Sequence, residues 1–271
     1  MRLDDAVLTI ATVNVNGIRA AFRRGMGDWL VERAPDVVLL QEVRAPDEMV
    51  GEFLTAPTWH LAHAESLAKG RAGVAIASRL PMSAVRIGLD HAVATSSGRW
   101  VEADLELPDG GSLTVVSTYV HSGTADTPSM DEKYAFLELV TARLAELRAG
   151  GGHAVVGGDL NIAHTDADLK NWKGNRGAAG CLPRERAYLD RWFGGLGWVD
   201  VGRRLAGEVT GPYTWWSWRG QAFDNDAGWR IDYQLATPDL AEVAREATVD
   251  RAPSYAERFS DHAPLVVGYE V

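Results

Sequence analysis

Cysteine is almost absent from this chain, in which Cys181 is the only one among 271 residues. A single thiol cannot close an internal disulfide, so the sequence does not resemble the disulfide-stabilised secreted proteins. The sequence offers no partner base for Cys181, and we expect a passive thiol rather than a nucleophile. A reducing cytoplasmic compartment is the expected location.

Long apolar runs are missing too. No stretch approaches the ~20 residues that cross a bilayer. The opening residues MRLDD lack the basic region and long apolar segment of a signal peptide. No low-complexity tract or long Pro/Gly/Ser linker interrupts the chain. We therefore expect no membrane association, no signal peptide and one domain spanning residues 1–271.

Positive charge is in deficit, with 27 Lys and Arg against 37 Asp and Glu and a net charge of −10. This balance argues against nonspecific coating of nucleic acid, which needs cations that displace counterions from phosphates. Two local clusters nevertheless predict a basic strip on an acidic body, although solvated surface charge explains most single members. They are Arg19, Arg23 and Arg24, and then Lys170, Lys173, Arg176, Arg184 and Arg186.

Two catalytic motifs are absent as well. No serine lies in a Gly-x-Ser-x-Gly turn, and no Gly-x-x-x-x-Gly-Lys-Ser/Thr loop occurs. Acyl transfer by a serine nucleophile and nucleotide hydrolysis by a P-loop therefore both lose support.

The chain does contain many short apolar or alternating runs, which predict β-strands. Helical spacing is clearest at 131–148, where apolar residues recur every three or four positions. Strand runs that follow one another directly, such as 73–78 with 82–89 and 100–107 with 112–120, favour stacked mixed or antiparallel sheets with outer helices. The predicted strands are 7–15, 36–41, 73–78, 101–107, 113–120, 154–156, 231–237 and 264–269, and the predicted helices are 26–33, 131–148, 183–193 and 238–245.

Polar side chains cluster where these runs end. Strand alternation places Asn14 and Asn16 on one face, and the same period puts Asp159 beside Asn161. Glu42 directly follows the run 36–41. Each of these could be an ordinary turn residue that caps a strand. Several such strand ends together predict a site.

A possible Asp-His pair adds to these strand ends. RIDY at 230–233 is followed by SDH at 260–262. An aspartate that accepts a hydrogen bond from one ring nitrogen would fix the tautomer of His262 and stabilise its cation. The oxygen donors of Glu42, Asp159, Asp261 and the asparagines suit Mg²⁺, or Mn²⁺, better than zinc. Because Mg²⁺ binds a few carboxylates together with a substrate phosphate, phosphoryl chemistry is expected.

The motifs NVNGIR (14–19), LQE (40–42), GDLNIAH (158–164), GWRIDY (228–233) and SDH (260–262) resemble, in order, those of the exonuclease III family of apurinic/apyrimidinic (AP) endonucleases. This family lies within the endonuclease/exonuclease/phosphatase superfamily. The resemblance covers nearly the whole chain. It implies an α/β fold of the α+β type, a four-layer sandwich of two stacked mixed β-sheets flanked by helices, with the site at one edge of both sheets.

The resemblance also implies a metal-binding set. Glu42 and Asp261 would hold the catalytic Mg²⁺, with Asn16 and Asn14 nearby. A cation there would help to neutralise charge on the phosphate in the transition state.

By the same resemblance, five residues would carry the reaction. Asp159 would activate or position the attacking water, and Asn161 would fix Asp159 or the phosphate. His262, oriented by Asp232, would bind the scissile phosphate and stabilise its developing charge. Tyr119, at the end of the run 113–119, would donate to the same phosphate.

Substrate contacts follow from the resemblance as well. Trp215, Trp229 and Ile231 match an apolar pocket for a flipped deoxyribose without its base, although tryptophans in such a cluster are more often packing residues. Arg44 is interpreted as a surface or fold residue. The positions that match contacts to the DNA backbone are Arg19, Asn171, Lys173 and Asn175.

Two segments depart from the family pattern. After Tyr119 the family commonly continues x-Pro-Asn or x-Pro-Gln, whereas this chain has VHS at 120–122. Ser122 reaches less far than a carboxamide, and His121 could titrate. Residues 123–130 also lack the basic residue that some members insert into the duplex.

The expected function is that of a Mg²⁺-dependent DNA repair nuclease. It would cut double-stranded DNA on the 5′ side of abasic sites and trim 3′ ends as an exonuclease or phosphodiesterase, without an obligate protein partner. One alternative is a phosphatase or phosphodiesterase of the same superfamily that acts on a lipid or a small phosphate ester. Another is a nucleic-acid-binding protein that has lost catalysis.

Overall fold

Two β-sheets form the centre of the computed structural model, which describes residues 7–54, 58–89 and 97–271. The MRLDD segment behind the signal-peptide expectation lies outside these ranges. The strands are β1 (Val7–Asn14), β2 (Val37–Gln41), β3 (His60–Ala64), β4 (Val74–Ser78), β5 (Met82–Ile87), β6 (Trp100–Glu106), β7 (Ser112–Tyr119), β8 (His153–Asp159), β9 (Val199–Asp200), β10 (Asp232–Ala236), β11 (Ala244–Val249) and β12 (Leu265–Glu270).

Each sheet is mixed. The first has the strand order β11-β12-β1-β2-β4-β3, and the second has the order β5-β6-β7-β8-β10-β9. In each, one central pair is parallel, β1 with β2 and β7 with β8. The other neighbours are antiparallel. The prediction of two mixed sheets is confirmed.

The two sheets are stacked, and helices cover both outer faces. Alternation along β1 sends Leu8 and Ile10 into the core between the sheets, and Val13 into the layer beneath the outer helices. Full burial of an aliphatic side chain contributes about 1.5–3 kcal/mol, so each layer is held by its apolar contacts. This is the predicted four-layer sandwich. The helices are Ile18–Arg23, Met26–Arg33, Asp47–Phe53, Pro128–Ala149, Trp172–Asn175, Pro183–Asp190, Val201–Ala206 and Pro238–Glu242.

The helix Pro128–Ala149 confirms and extends the helix predicted at 131–148. A proline in its first turn suits the start of a helix, because that position needs no backbone donor. Leu137, Val140 and Leu144 lie on one buried face and pack on the second sheet. Among the described residues, no helix combines the length and apolar character that a membrane span requires.

Some local predictions are wrong. The helix predicted at 238–245 ends at Glu242, and the chain enters β11 at Ala244. Pairing with β12 satisfies that backbone and overrides the short helical pattern. The runs 73–78 and 82–89 follow one another in sequence but lie in different sheets, β4 in the first and β5 in the second. The runs 100–107 and 112–120 do form neighbouring strands.

The sheets approach closely near the ends of their central strands. A Cβ on Gly157 would lie 2.1 Å from Thr12 Oγ1, so only glycine fits there. Nearby, Gln41 Nε2 donates to Ser117 Oγ across the sheets at 2.9 Å, and both groups are buried. The close approach brings the ends of β1, β2, β7 and β8 together at one edge of the sandwich.

Candidate active site

Strand register brings the predicted site residues to this edge. Tyr119 at the end of β7 pairs with Asp159 at the end of β8. Asp232 at the start of β10 pairs with Asp159 from the other side. Asp261 and His262 lie just before β12, next to β1. Residues as far apart in sequence as Asn16 and Asp261, 245 positions, are therefore placed in one group by the fold.

Asn14 joins the two sheets at the site. Its buried Nδ2 donates to Glu42 Oε1 at 3.0 Å and to Asp159 Oδ2 at 2.9 Å. Its Oδ1 accepts the backbone N–H of Asn16 at 3.0 Å. The side-chain oxygen of Asn14 is thus engaged by the backbone, and the residue orients the two carboxylates.

Asp159 lies at the centre of the group and is 1% exposed. Asn161 donates to it twice, from its backbone N at 2.9 Å and from Nδ2 at 3.0 Å. Burial raises the pKa of Asp159 to about 8, aided by the Asp232 and Glu42 carboxylates and opposed by the His262 cation. This carboxyl group can therefore exchange a proton near neutral pH.

His262 and Asp232 form the expected pair. Nδ1 of His262 donates to Asp232 Oδ2 at 2.8 Å, and Nε2 lies 3.8 Å from Asp159 Oδ2. Burial alone would lower the pKa of His262, but Asp232 and the other nearby carboxylates raise it to about 10. The imidazole is therefore a cation with both N–H groups as donors.

Two hydroxyl groups that sequence reasoning missed hold this pair in place. Thr214 Oγ1 accepts the backbone N–H groups of Ile231 and Asp232, each at 3.1 Å. Ser260 Oγ donates to Asn14 O at 2.7 Å and accepts the His262 N–H at 3.2 Å. Ser260 lies in the SDH motif, which was the available signal, whereas no pattern marks Thr214.

Tyr119 is partly buried at the edge of the same group. Burial raises the pKa of its hydroxyl far above the ordinary value, and the carboxylates of Glu42 and Asp159 add to the effect. The hydroxyl therefore stays protonated and can act as a donor to an anion.

The residues present fit a hard divalent cation. Glu42, Asp261 and Asn16 are only partly buried and offer carboxylate and carboxamide oxygens. Asn16 Nδ2 donates to Asp261 Oδ1 at 2.8 Å. The side-chain oxygen of Asn16 takes no part in this bond. Asp159, Asp232 and His262 form a second group whose ligand atoms lie within 4.8 Å of one another and could hold a metal ion. Glu42 and Asp261 are more exposed than the three members of this second group.

Arg44 is exposed, as its interpretation as a surface residue implies, and it lies beside Glu42. Its Nη2 donates to Glu42 Oε2 in a salt bridge. The same guanidinium lines a groove together with Arg19 and Arg23, and a neighbouring groove that also contains Lys69 and Arg71. A basic surface therefore begins directly beside Glu42.

The aromatic residues predicted for a pocket lie next to the Asp232–His262 pair. Trp215 and Trp229 meet edge to face with ring centroids 6.2 Å apart, and the Trp215 ring is 6.5 Å from His262. Trp215 Nε1 also donates to Asp261 Oδ2 at 3.2 Å. Ile231 is 4% exposed, so it offers little surface to a ligand.

The residues predicted to contact the DNA backbone lie on the surface around the site, which we call the rim. Asn171 and Lys173 are exposed and Asn175 is partly buried, at the short helix Trp172–Asn175. The Lys173 ammonium lies 5.5 Å from the Trp172 ring centroid. Arg19 is on the opposite, groove-lining side and is exposed. These side chains are not part of the hydrogen-bonded group around Asp159.

In the VHS segment that departs from the family pattern, Val120 is buried, His121 is partly buried and Ser122 is exposed. His121 Nδ1 pairs with Arg99 Nη1 at 2.9 Å, and Nε2 donates to Ser129 O at 2.9 Å. Burial and the Arg99 cation lower the pKa of His121 to about 4, so it stays neutral. Cys181 is buried, and burial raises its pKa to about 11, as expected of a passive thiol.

Comparison with known proteins places the chain among nucleases. Residues 11–262 match the Endonuclease/Exonuclease/phosphatase family. An exodeoxyribonuclease of Bacillus subtilis is 30% identical over 253 residues, which cover 93% of this chain and 95% of that protein. An AP endonuclease from Archaeoglobus fulgidus has a solved structure with a TM-score of 0.87 and 32% identity, covering 97% of this chain and 100% of that chain.

A second similar structure is a 3′ phosphatase from Neisseria bound to product DNA hairpin, with a TM-score of 0.87 and 27% identity, covering 97% of this chain and 100% of that chain. Sequence and fold thus agree over nearly the entire length. The chain belongs to the Endonuclease/Exonuclease/phosphatase family, and its resemblance to the exodeoxyribonuclease III and AP-endonuclease members is confirmed.

Proposed function

We propose that the protein is a Mg²⁺-dependent DNA repair nuclease, with Mn²⁺ as an alternative cation. It hydrolyses the phosphodiester on the 5′ side of an abasic site, leaves a 3′-hydroxyl, and trims 3′ ends. The observation that carries the proposal is the buried Asp159 carboxyl, held by Asn14 and Asn161 beside a protonated His262. The exodeoxyribonuclease and AP-endonuclease relatives support it.

Asp159 is the proposed base. Its raised pKa suits a group that takes a proton from, or positions, an attacking water near neutral pH. The two donors on Asn161 fix the direction of the carboxylate. Because a misplaced base loses much of its effect, this orientation matters as much as the pKa.

Glu42 and Asp261, with Asn16, are proposed to hold the cation. A divalent metal bound there supplies stabilisation of negative charge on the phosphate oxygens. Asn14, predicted among these ligands, is proposed to orient Glu42 and Asp159 because its oxygen is engaged by the Asn16 backbone.

His262 and Tyr119 are proposed to bind the scissile phosphate. Both keep their protons at neutral pH; His262 Nε2 lies 3.8 Å from Asp159 Oδ2, and the Tyr119 hydroxyl bonds to the Glu42 side chain. Donors that are fixed before the reaction stabilise the charge that develops on the phosphate. Asp232 keeps the imidazole in position and charged.

Abasic-site preference is proposed to come from the wall formed by Trp215 and Trp229. An aromatic wall beside the phosphate site can accept a sugar without a base, whereas a normal nucleotide is larger and costs more to extrude. Arg19, Lys173 and the asparagines of the rim would contact the backbone of the duplex. A lipid phosphatase gives this wall no role, and an inactive binding protein gives no reason to retain the complete catalytic group.

The test is cleavage of an end-labelled duplex that carries one tetrahydrofuran abasic analogue. The reaction is run with Mg²⁺ and with EDTA, beside a matched intact duplex, and products are resolved to single nucleotides. We expect a metal-dependent nick immediately 5′ of the analogue. An intact duplex under both conditions, from folded protein, would instead favour a phosphatase acting on another ester.

A further inference from the structure

Lys133 is a fully buried ammonium next to the site. It projects from the helix Pro128–Ala149 and is 0% exposed. Its Nζ donates to Ser122 O at 3.1 Å, to Asn161 O at 2.9 Å and to Glu185 Oε1 at 2.5 Å. All three of its donors are therefore used.

Glu185 completes the arrangement and is also fully buried. Its second oxygen, Oε2, accepts the backbone N–H groups of Gly180 at 2.7 Å and Leu182 at 3.1 Å. The ion pair thus bonds to backbone on both sides. Sequence reasoning gave neither Lys133 nor Glu185 a role.

The pair connects three segments that border the site. Ser122 follows Tyr119, and Asn161 follows Asp159. Gly180 lies against the aromatic wall, since an added Cβ there would be 3.0 Å from both Asn161 O and Trp229 Cζ3. One buried charge pair therefore sets the spacing between the phosphate donor, the base and the pocket wall.

Stability alone is a weak reason to bury such a pair. Removing two charges from water is costly, and apolar replacements of similar volume are often neutral or stabilising. Burial lowers the pKa of Lys133, while the Glu185 and Asp159 carboxylates act in the opposite direction. The free-energy cost of burying these two charges therefore falls next to the site.

Asn161 is the residue that most needs this support. Its φ is 49°, in the left-handed region that a non-glycine residue adopts only when the surroundings hold it. Its backbone N and Nδ2 both fix Asp159, so a displacement of its carbonyl is passed on to the base.

We propose that the Lys133–Glu185 ion pair is a positioning device for the nuclease reaction, holding Asn161 and through it Asp159 in register with Tyr119 and Trp229. The proposal rests on the proposed function of this site. Neither member touches the phosphate in this role, and both act through the backbone of the three segments.

The test replaces the pair by neutral side chains of similar size, in the double variant Lys133→Met/Glu185→Gln. The glutamine oxygen can still accept from Gly180 and Leu182. The control is Arg143→Met, which removes a charged bond from the same helix to buried Glu102, on the outer side of the second sheet. Melting temperature, affinity for abasic duplex in EDTA and single-turnover incision rate are measured for each.

We expect the double variant to lose about 10- to 100-fold in incision rate, because a misdirected base loses this order of effect. Its DNA affinity should remain within about threefold, and Arg143→Met should keep the wild-type rate even where it melts earlier. A folded double variant with the wild-type rate overturns the proposal, as does an equal loss of rate in the control. If the wild type itself leaves the abasic duplex intact, the proposed function fails instead.

A second variant decides the matter if the double variant does not fold. Gly180→Ala keeps both charges, but it strains a backbone with a φ of 87° and brings a Cβ within 3.0 Å of Asn161 O and Trp229 Cζ3. It should reproduce the loss of incision rate at nearly unchanged DNA affinity. A wild-type rate in folded Gly180→Ala would overturn the proposal.

Discussion

The side chains around Asp159 and those around the helix Trp172–Asn175 are supported by the fold in opposite ways. Asn14, Asp159 and Asp232 are at most 1% exposed, lie at strand ends and are fixed by several hydrogen bonds. Lys173 belongs to a four-residue helix, is exposed and rests over one aromatic ring. The first region is the proposed catalytic centre, and the second is called the rim.

This difference separates two tasks. Buried groups at strand ends are held in one arrangement by both sheets, so the centre can offer the same chemistry to any phosphodiester that reaches it. Charges on the rim are solvated, screened by salt and able to adjust to a nucleic-acid backbone. We infer that the centre sets the rate of the reaction and that the rim and pocket select the bond.

The largest effect should come from Asp159→Asn, which removes the base but keeps the shape of the side chain. Single-turnover incision should fall by about 10²- to 10⁴-fold, the range for a lost general base. Affinity for abasic duplex should stay close to that of the wild type, because the rim is untouched. Rapid-quench kinetics and fluorescence anisotropy measure the two quantities. Parallel loss of rate, affinity and melting temperature would make Asp159 a structural residue.

The next largest effect concerns the pH dependence of stability. The folded-state pKa of His262 is about 10, above the ordinary 6.5. Its stabilising contribution is therefore fully present below pH 6.5 and is lost as the pH rises toward 10. The pKa of Asp159 is raised from 3.8 to about 8, so its contribution to the stability of the folded protein also falls as the pH rises between those two values.

In EDTA, the free energy of unfolding should therefore fall by a few kcal/mol from pH 6.5 to 10, at about 1.4 kcal/mol for each unit of pKa shift. Chemical denaturation at several pH values measures it. His262→Asn should show a flatter profile over this range. Identical slopes for the variant and the wild type would mean that the Asp232–His262 pair is not the source.

A smaller and more selective effect is expected from Trp229→Ala. Loss of one wall of the pocket should weaken the preference for abasic over intact duplex by about tenfold, or about 1.4 kcal/mol. Affinities for the two duplexes in EDTA give this ratio. The control is Trp59→Ala, which removes a buried tryptophan directly before β3, an edge strand of the first sheet. An unchanged ratio in Trp229→Ala would remove the aromatic wall from substrate selection.

The smallest effect should follow Lys173→Ala on the rim. A lost phosphate contact should weaken binding to all duplexes by a few-fold and reduce the slope of log affinity against log salt by about 1. Arg245→Ala removes an exposed cation from β11, away from the rim, and is the matched control. Equal slopes for Lys173→Ala and the wild type would show that this lysine does not contact phosphate.

The sequence predicts the centre better than the contacts that support it. Asp159 with Asn161, and Asp232 with His262, follow from strand alternation and from motif spacing, and the structure brings these pairs together. Arg44 was not expected beside Glu42, because a basic residue after a strand end is most often solvated surface charge.

The elements of the fold differ in the same way in how well the sequence predicts them. The long helix and most central strands carry strong periodic patterns, and the structure confirms them. The first two residues of β11 were predicted as the end of a helix, and the rest of the strand was not predicted, because its pattern is short and its partner strand decides its conformation. Lys133 and Glu185 are 52 positions apart, and no local pattern relates them. Contacts that depend on tertiary packing of distant segments are those that a single sequence does not reveal.

The most direct test of the separation between centre and rim uses one duplex that carries both an abasic analogue and a recessed 3′ end. The single-turnover rates of incision and of 3′-end trimming are measured together for the wild type, Asp159→Asn and Trp229→Ala. We predict that Asp159→Asn lowers both rates by the same factor, whereas Trp229→Ala lowers incision and leaves trimming nearly unchanged. If Asp159→Asn abolished only one reaction, or Trp229→Ala slowed both equally, a common centre with a selective pocket would be contradicted.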